Sequence, residues 1–254
     1  MSSPRVDAVN PLLRQPEAAP PNFDRVARVY RWAEYVALGP LLRRTRELYL
    51  PEIAAARHAL VLGDGDGRFT AELLSHAPEV AVRAVDTSAE MLRLLQQRCE
   101  RRGMASRLTV EQGSALVTEV GREVDLIVTH FFLDCLAQPE VEHLAARIAA
   151  EVKPGCAWVL SEFGLPRRPP GRALAAGYIR LLYFAFRVLT GLRPQRLPDP
   201  QRALRRAGFT LRQRNDRMGG FLYSELWQLD PQKEYNRDNA PGSGATSACA
   251  PTST

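Results

Sequence analysis

Between residues 59 and 229, short apolar runs alternate with stretches of helical periodicity, and this alternation constrains the fold more than any other feature of the chain. The first run, Ala59-Leu60-Val61-Leu62, passes through a glycine turn into a helical stretch from Arg68 to Ser75. Strand Val80 to Val85 precedes a helix from Ser88 to about Arg101, and strand Leu108 to Glu111 precedes a short turn or helix. Strand Val124 to Thr129 precedes a helix from Pro139 to Val152. A fifth strand, Cys156 to Glu162, follows the Pro154-Gly155 turn. Helix Gln201 to Ala207 then stops at Gly208, ahead of strands Thr210 to Asn215 and Leu222 to Leu229. Such a repeat predicts an α/β fold: a doubly wound, mostly parallel sheet with helices on both faces and right-handed crossovers. The last two strands, joined through Gly219-Gly220, read as a hairpin, so one edge strand is expected to run antiparallel.

A chain of 254 residues with 45% hydrophobic and 24% charged residues supplies one full core, with no surplus for a second domain. Residues 1–21 carry five prolines and residues 230–254 are mostly small and polar, so both ends are expected to be disordered around a single domain over 22–229. Asn22 is a plausible N-cap for an amphipathic stretch from Phe23 to Leu38, which Gly39-Pro40 breaks before a second helix through Leu50. Cys99, Cys135, Cys156 and Cys249 stand far apart without C-x-x-C spacing, which argues against a thiolate metal site or a disulfide scaffold. Together with a start that lacks a signal-peptide pattern, this points to a cytoplasmic protein. The net charge of +6 is unevenly placed: residues 164–217 hold thirteen arginines against Asp199 and Asp216, so the rest of the chain is net acidic.

The first strand runs into Gly63-Asp64-Gly65-Asp66-Gly67. Glycines at the carboxyl end of a first strand let a ligand approach the backbone where a Cβ would clash. Read as a dinucleotide fingerprint from Gly63, the turn has Arg68 where the third glycine belongs, and its two carboxylates would repel a pyrophosphate. A cofactor with an amino or cationic group fits better, with Asp64 or Asp66 accepting from an ammonium. Asp86 ends the second strand 19 residues after Gly67, where an acid can chelate both ribose hydroxyls; the plainer alternative is that it caps the following helix.

These residues carry a resemblance. Ala59 to Phe69, Ala84-Val85-Asp86-Thr87-Ser88-Ala89-Glu90-Met91-Leu92 and Asp125-Leu126-Ile127-Val128 resemble the class I S-adenosylmethionine-dependent methyltransferases, over about Phe23 to Leu229. The prelude Asn22 to Tyr30 is similar to the opening helix of the quinone-biosynthesis C-methyltransferases, where it helps close the site. The resemblance implies a Rossmann-like seven-stranded sheet with its last strand antiparallel. S-adenosylmethionine would lie over the first strand ends, with Asp86 on its ribose. Thr87, Met91, Ser114 and Thr129 complete the expected cofactor set. Two departures stand out: Val61 replaces the acid usual two residues before the first glycine, and Ser114 replaces the acid that commonly meets the adenine amino group. A hydroxyl can still bond the ring edge. The absence of an Asn/Asp-Pro-Pro-aromatic motif after strand four speaks against a nucleic-acid substrate.

Strand four ends Thr129-His130-Phe131-Phe132-Leu133-Asp134, where the reactive methyl is expected to point. His130 is the candidate general base for an acceptor that carries a proton, or else a structural histidine that orients Asp134 or a backbone carbonyl. Residues 22–50 and 165–198 are expected to cap the site. Tyr30, Asp134, Tyr178 and Tyr183 are candidates for contact with a small, lipophilic or aromatic acceptor. In the insertion from Arg172 to Leu192, Arg172, Arg180 and Arg187 fall within an arc of about 80° on an otherwise apolar helix. Such a stripe suits a lid, or peripheral contact with an anionic membrane at its inner face, and argues against a spanning helix. The rival readings are a non-catalytic S-adenosylmethionine-binding module and a nicotinamide-dependent oxidoreductase; the latter lacks an evident Tyr-x-x-x-Lys pair.

Overall fold

The computed structural model describes residues 39–166 and 197–230. The prelude before Gly39, the arginine-striped insertion and the tail after Asp230 therefore lie outside the described residues, and with them Tyr30, Tyr178 and Tyr183.

The apolar runs form a seven-stranded sheet: β1 (His58–Leu62), β2 (Ala81–Asp86), β3 (Leu108–Gln112), β4 (Leu126–His130), β5 (Ala157–Phe163), β6 (Phe209–Arg217) and β7 (Leu222–Leu229). Their spatial order is β3-β2-β1-β4-β5-β7-β6. The first five strands are parallel, and β7 pairs antiparallel with both β5 and β6. One expectation needs correction. The antiparallel strand is not at an edge: the hairpin folds β7 inward against β5, leaving β6 as the edge strand.

The helices are α1 (Gly39–Arg46), α2 (Arg68–His76), α3 (Ala89–Glu100), α4 (Gln138–Glu151) and α5 (Pro200–Ala207). Local chemistry sets their ends. Ser88 accepts from the Met91 amide to start α3, and Asp199 accepts from the Arg202 amide to start α5. Gly208, at φ 96°, then ends α5. Glu140 reaches back to the Ala137 amide at 2.7 Å ahead of α4, with Pro139 in the first turn.

Strands β1 and β4 are buried on both faces, as a central parallel strand must be when helices cover each side. One core layer joins Leu60, Ile127 and Trp158 to Leu144, Ile148 and Leu204 of α4 and α5. The opposite layer joins Val61, Val128 and Val159 to Phe69, Leu73 and Leu95 of α2 and α3, and to Tyr49 and Ile53. At the amino ends of the strands, Asp125 accepts from the Arg57 and His58 amides and locks β4 to β1.

Gly67 shows how the β1–α2 turn is packed. Its φ is +75°, and a Cβ there would lie 2.4 Å from Leu95 Cγ and 2.9 Å from the Leu95 Cα. Gly67→Ala should therefore cost about 1–2 kcal/mol in left-handed strain and roughly 1–3 kcal/mol in overpacking. A thermal melt should fall by several degrees or more, and an unchanged midpoint would show that α3 does not press on the turn as described.

Candidate cofactor and acceptor site

The parallel register brings the carboxyl ends of β1, β2 and β4 together: Leu62 pairs with Val85 on one side and Thr129 on the other. The Gly63 amide donates to Val85 O at 2.9 Å, and the Gly113 amide to Asp86 O at 3.0 Å. The glycine turn, Asp86 and Ser114 thus form one continuous rim. Within it Asp86 Oδ1 accepts from the Ser88 amide at 2.9 Å, and the Gly65 amide lies near its carboxylate. Burial raises its proton affinity, and these backbone donors partly offset the rise. The cap alternative and the ribose reading are therefore compatible.

The three turn glycines differ in use. Gly63 and Gly67 face protein, since a Cβ would strike the Phe132 ring in one case and Leu95 in the other. At Gly65, φ +59°, a Cβ would meet, among the described residues, only Met91 Sδ at 3.8 Å. Its backbone faces an open cradle walled by Met91 and bordered by Asp86. A ligand can lie there against bare main chain.

The two acids of the turn also part company. Asp66 is 8% exposed and is held by Arg98 at 2.7 Å and Arg68 at 3.2 Å, so its carboxylate is committed to the scaffold. Asp64 uses Oδ2 alone, accepting from the Thr70 amide and hydroxyl, each at 2.8 Å. Its Oδ1 has no hydrogen bond among the described residues and is the atom that can take an ammonium. Desolvation pushes the Asp64 carboxyl up to about 6, against the relief given by the Arg46 charge and the Thr70 donors. An ammonium binds the ionised form, so affinity should be full above pH 7 and decline as pH falls below about 6. Titration calorimetry with S-adenosylhomocysteine between pH 5 and pH 8 checks this, and Asp64→Asn should flatten the profile; an equally steep decline in that variant would place the titration elsewhere.

Thr129 and His130 point to opposite faces, as neighbours in a strand must. Thr129 is fully buried and accepts from Trp158 Nε1 at 2.9 Å, so its hydroxyl serves the core beneath the rim. His130 is 4% exposed. Its Nδ1 bonds Ser161 Oγ at 3.0 Å, and its ring packs edge-on against Phe69, with centroids 4.3 Å apart. Ser161 Oγ in turn bonds Ser224 Oγ at 2.8 Å, and both serine hydroxyls reach Thr45 O. Burial and the nearby Arg46 charge hold the imidazole proton affinity well below its ordinary value, so His130 is neutral at physiological pH. The structure shows a histidine anchored in a buried polar network rather than one facing an open surface. Thr87 is exposed at the rim, and Ser114 turns its hydroxyl to the Leu116 amide at 3.3 Å.

Beyond β4 the chain makes a strained turn: Phe131 has φ 53°, unusual for a bulky side chain. Glu162, at the end of β5, accepts from the amides of Phe132 and Leu133 through Oε1 and so braces that turn. Phe131, Phe163 and Phe221 then stack in sequence, with centroids 4.9 and 5.5 Å apart, beside Leu42 and Leu222. Asp134 is 7% exposed and sits close enough to Glu162 for their charges to interact. Burial pushes Asp134 up to about 6, and burial plus the Asp134 charge raises Glu162 well above the usual carboxylate range. Burial thus favours the neutral form of both carboxyls, and the Asp134 charge further opposes ionisation of Glu162. Sequence reasoning missed Glu162, although an acid closing an otherwise apolar strand is a readable signal; it missed Arg46 because nothing local separates it from Arg43 and Arg44. Among the described residues no His, Cys, Asp and Glu cluster is placed to hold a metal ion, and no helix is long and apolar enough to cross a membrane.

Comparison with known proteins agrees with this geometry. Residues 59–155 match the profile of a family described as "Methyltransferase domain", for which S-adenosylmethionine is the implied cofactor. No curated protein sequence matches the chain. Among solved structures, an O-methyltransferase family protein from Burkholderia thailandensis is similar at 19% identity and a TM-score of 0.63, covering 81% of this chain and 60% of that one. An O-methyltransferase family 2 protein from Planctomyces limnophilus, solved as a complex with apigenin, is similar at 18% identity and a TM-score of 0.61, covering 81% and 61%. A putative O-methyltransferase from Nostoc punctiforme gives 18% identity and a TM-score of 0.59, covering 78% and 59%. At these identities the likeness shows the Rossmann-like methyltransferase fold, and this chain spans about 60% of the length of those structures.

Proposed function

We propose that the chain transfers the methyl group of S-adenosylmethionine to an oxygen of a small, lipophilic or aromatic acceptor. The observation that carries the cofactor half is the Gly65 cradle, open to a ligand and flanked by Asp86 and the unengaged Oδ1 of Asp64. Bound there, S-adenosylmethionine supplies a methyl already activated on a sulfonium. The protein must therefore provide alignment and a place for the acceptor's proton.

The acceptor half rests on the aromatic cluster of Phe131, Phe163 and Phe221 beside the Asp134–Glu162 pair, at the carboxyl ends of β4 and β5. Ligands of open α/β sheets bind at such strand ends. The packed rings would form one apolar wall against which a flat acceptor could lie, shielded from water. Asp134, its carboxyl pushed up to about 6 by burial, would take the proton of an attacking hydroxyl. His130 has the role of orienting group through Ser161, not of base. An oxygen acceptor is favoured over the carbon acceptor suggested by the prelude, because carboxylates serve a protonated oxygen nucleophile and the similar structures are O-methyltransferases by description.

The test is incubation of the full chain with S-adenosylmethionine and a panel of phenols, hydroquinones and hydroxylated flavonoids, monitoring S-adenosylhomocysteine and the methylated product together. Equimolar formation of both with at least one hydroxylated acceptor supports the reading. Tight cofactor binding with no turnover across the panel would favour a non-catalytic binding module.

A further inference from the structure

Arg217 ends β6 beside the aromatic wall and has no counter-charge among the described residues. We infer that Arg217 binds a carboxylate of the acceptor, so that the substrate is a hydroxylated aromatic acid with its hydroxyl at the β4 end of the wall and its acid group at the β6 end. The assignment rests on the methyl-transfer reading above and names the substrate class of that same site.

The sheet register fixes where Arg217 stands. Phe163, Leu222 and Arg217 lie opposite one another across β5, β7 and β6. Residues directly opposite in antiparallel strands share a face, so Arg217 continues the row that begins with Phe163 of the phenylalanine stack. Two strand spacings separate them, roughly 10 Å. Because β5 and β6 both run antiparallel to β7, Arg217 ends its strand on the same edge of the sheet as the glycine turn.

The side chain is half-buried, and its Nε is shut away from solvent without a hydrogen-bond partner. An ordinary surface arginine keeps Nε in water; burying that donor unpaired costs free energy, which a bound acid would recover. Arg147 also has an unpaired buried Nε, but it spends its terminal nitrogens on the Thr118 and Ala115 carbonyls. Arg217 makes no side-chain hydrogen bond or ion pair among the described residues. Its neighbours in sequence cannot neutralise it: the only acids in 164–217 are Asp199, which caps α5, and Asp216, which Arg214 holds at 2.8 Å.

Backbone strain marks the same place. Among the described residues, the two non-glycine residues with positive φ are Phe131 at 53° and Met218 at 50°, one within the stack and the other directly after Arg217. Met218 is 58% exposed, and so is 45% of Leu165, which follows Gly164 where the Gly164 amide donates to Phe221 O at 2.8 Å. Strain, exposed apolar surface and an unpaired cation at one corner of a strand-end rim are the marks of a binding site. A flat ring on the phenylalanines, extending past them to Arg217, uses all three. One guanidinium fork neutralises one charge through two parallel N–H donors, which fits a carboxylate.

The experiment compares acids with neutral partners of the same shape. The full chain, saturated with S-adenosylhomocysteine, is titrated by calorimetry with 4-hydroxybenzoate and 4-hydroxycinnamate, each against its primary amide. At least one acid should bind the wild type about tenfold or more tighter than its amide. In Arg217→Gln that acid should fall to within about twofold of the amide, whose own affinity is unchanged. Arg217→Lys, which keeps the charge but not the fork, should lie between. Unchanged affinity for S-adenosylhomocysteine shows that each variant is folded. Equal binding of acids and amides by the wild type, a preference for acids that survives in Arg217→Gln, or no binding of any of the four would overturn the assignment; methyl transfer to neutral phenols would then still stand on its own test. Failure of the wild type to bind S-adenosylhomocysteine would overturn the methyl-transfer reading itself, and the role of Arg217 with it.

Discussion

Gly65→Ala should lose cofactor affinity by at least about 100-fold, roughly 2.7 kcal/mol, while the protein keeps its fold. The two halves of that expectation have separate causes. At φ +59° an alanine carries about 1–2 kcal/mol of left-handed strain, which lowers the melting point by only a few degrees in a domain of this size. Among the described residues its Cβ meets nothing closer than Met91 Sδ at 3.8 Å, so none of their packing is displaced. The methyl instead fills the cradle where a ligand would lie against main chain, and bound atoms cannot move aside without giving up Asp86 or Asp64. Gly67, two residues on, is the control: there the added methyl collides with Leu95 and harms stability first. Native circular dichroism with normal binding of S-adenosylhomocysteine in Gly65→Ala would make the turn a plain strand-to-helix connection.

The largest effect on turnover is expected at Asp134. Removing a general base costs about 10²–10⁴-fold in rate, so Asp134→Asn should reduce methyl transfer to a hydroxylated acceptor by about 100-fold or more. Affinity for S-adenosylhomocysteine should stay within about twofold, since the proposed role places Asp134 on the acceptor side of the site. Asparagine keeps the shape and removes the charge. In the wild type, turnover should fall as pH drops through about 6, because Asp134 then takes up the proton it must be free to accept. The sign matters: a base is active above its pKa, and the residual activity of Asp134→Asn should not show that fall. Full turnover in the variant would return the proton transfer to another group, with His130 the first to examine.

The sheet was legible because its evidence is local. Each central strand is a continuous apolar run, as burial on both faces requires, and Ser88, Asp199 and Gly208 mark helix ends through their own side chains or φ. The position of β7 was not legible, because nothing within Leu222–Leu229 states that it pairs with β5 as well as β6. The same limit applies to the site. The sequence places Asp64 and Asp66 in one turn with equal claims; the difference comes from Arg98, 32 residues away, which commits Asp66 to the scaffold. His130 was visible as a histidine at a strand end, but its burial against Phe69 and Ser161 depends on two other elements, α2 and β5, meeting there. The Arg46 stack on Phe131 likewise joins residues 85 positions apart. The acids and glycines were readable as a set, and their division of labour is tertiary.

The central claim is that the Gly63–Gly67 turn and Asp86 hold S-adenosylmethionine rather than a dinucleotide. Titration calorimetry of the full chain with S-adenosylmethionine and, in parallel, with NADH and NADPH tests it directly. The account predicts saturable one-to-one binding of S-adenosylmethionine that Gly65→Ala abolishes, with no heat of binding from either dinucleotide. Saturable binding of NADH or NADPH, or no binding of S-adenosylmethionine to the wild type, would contradict it.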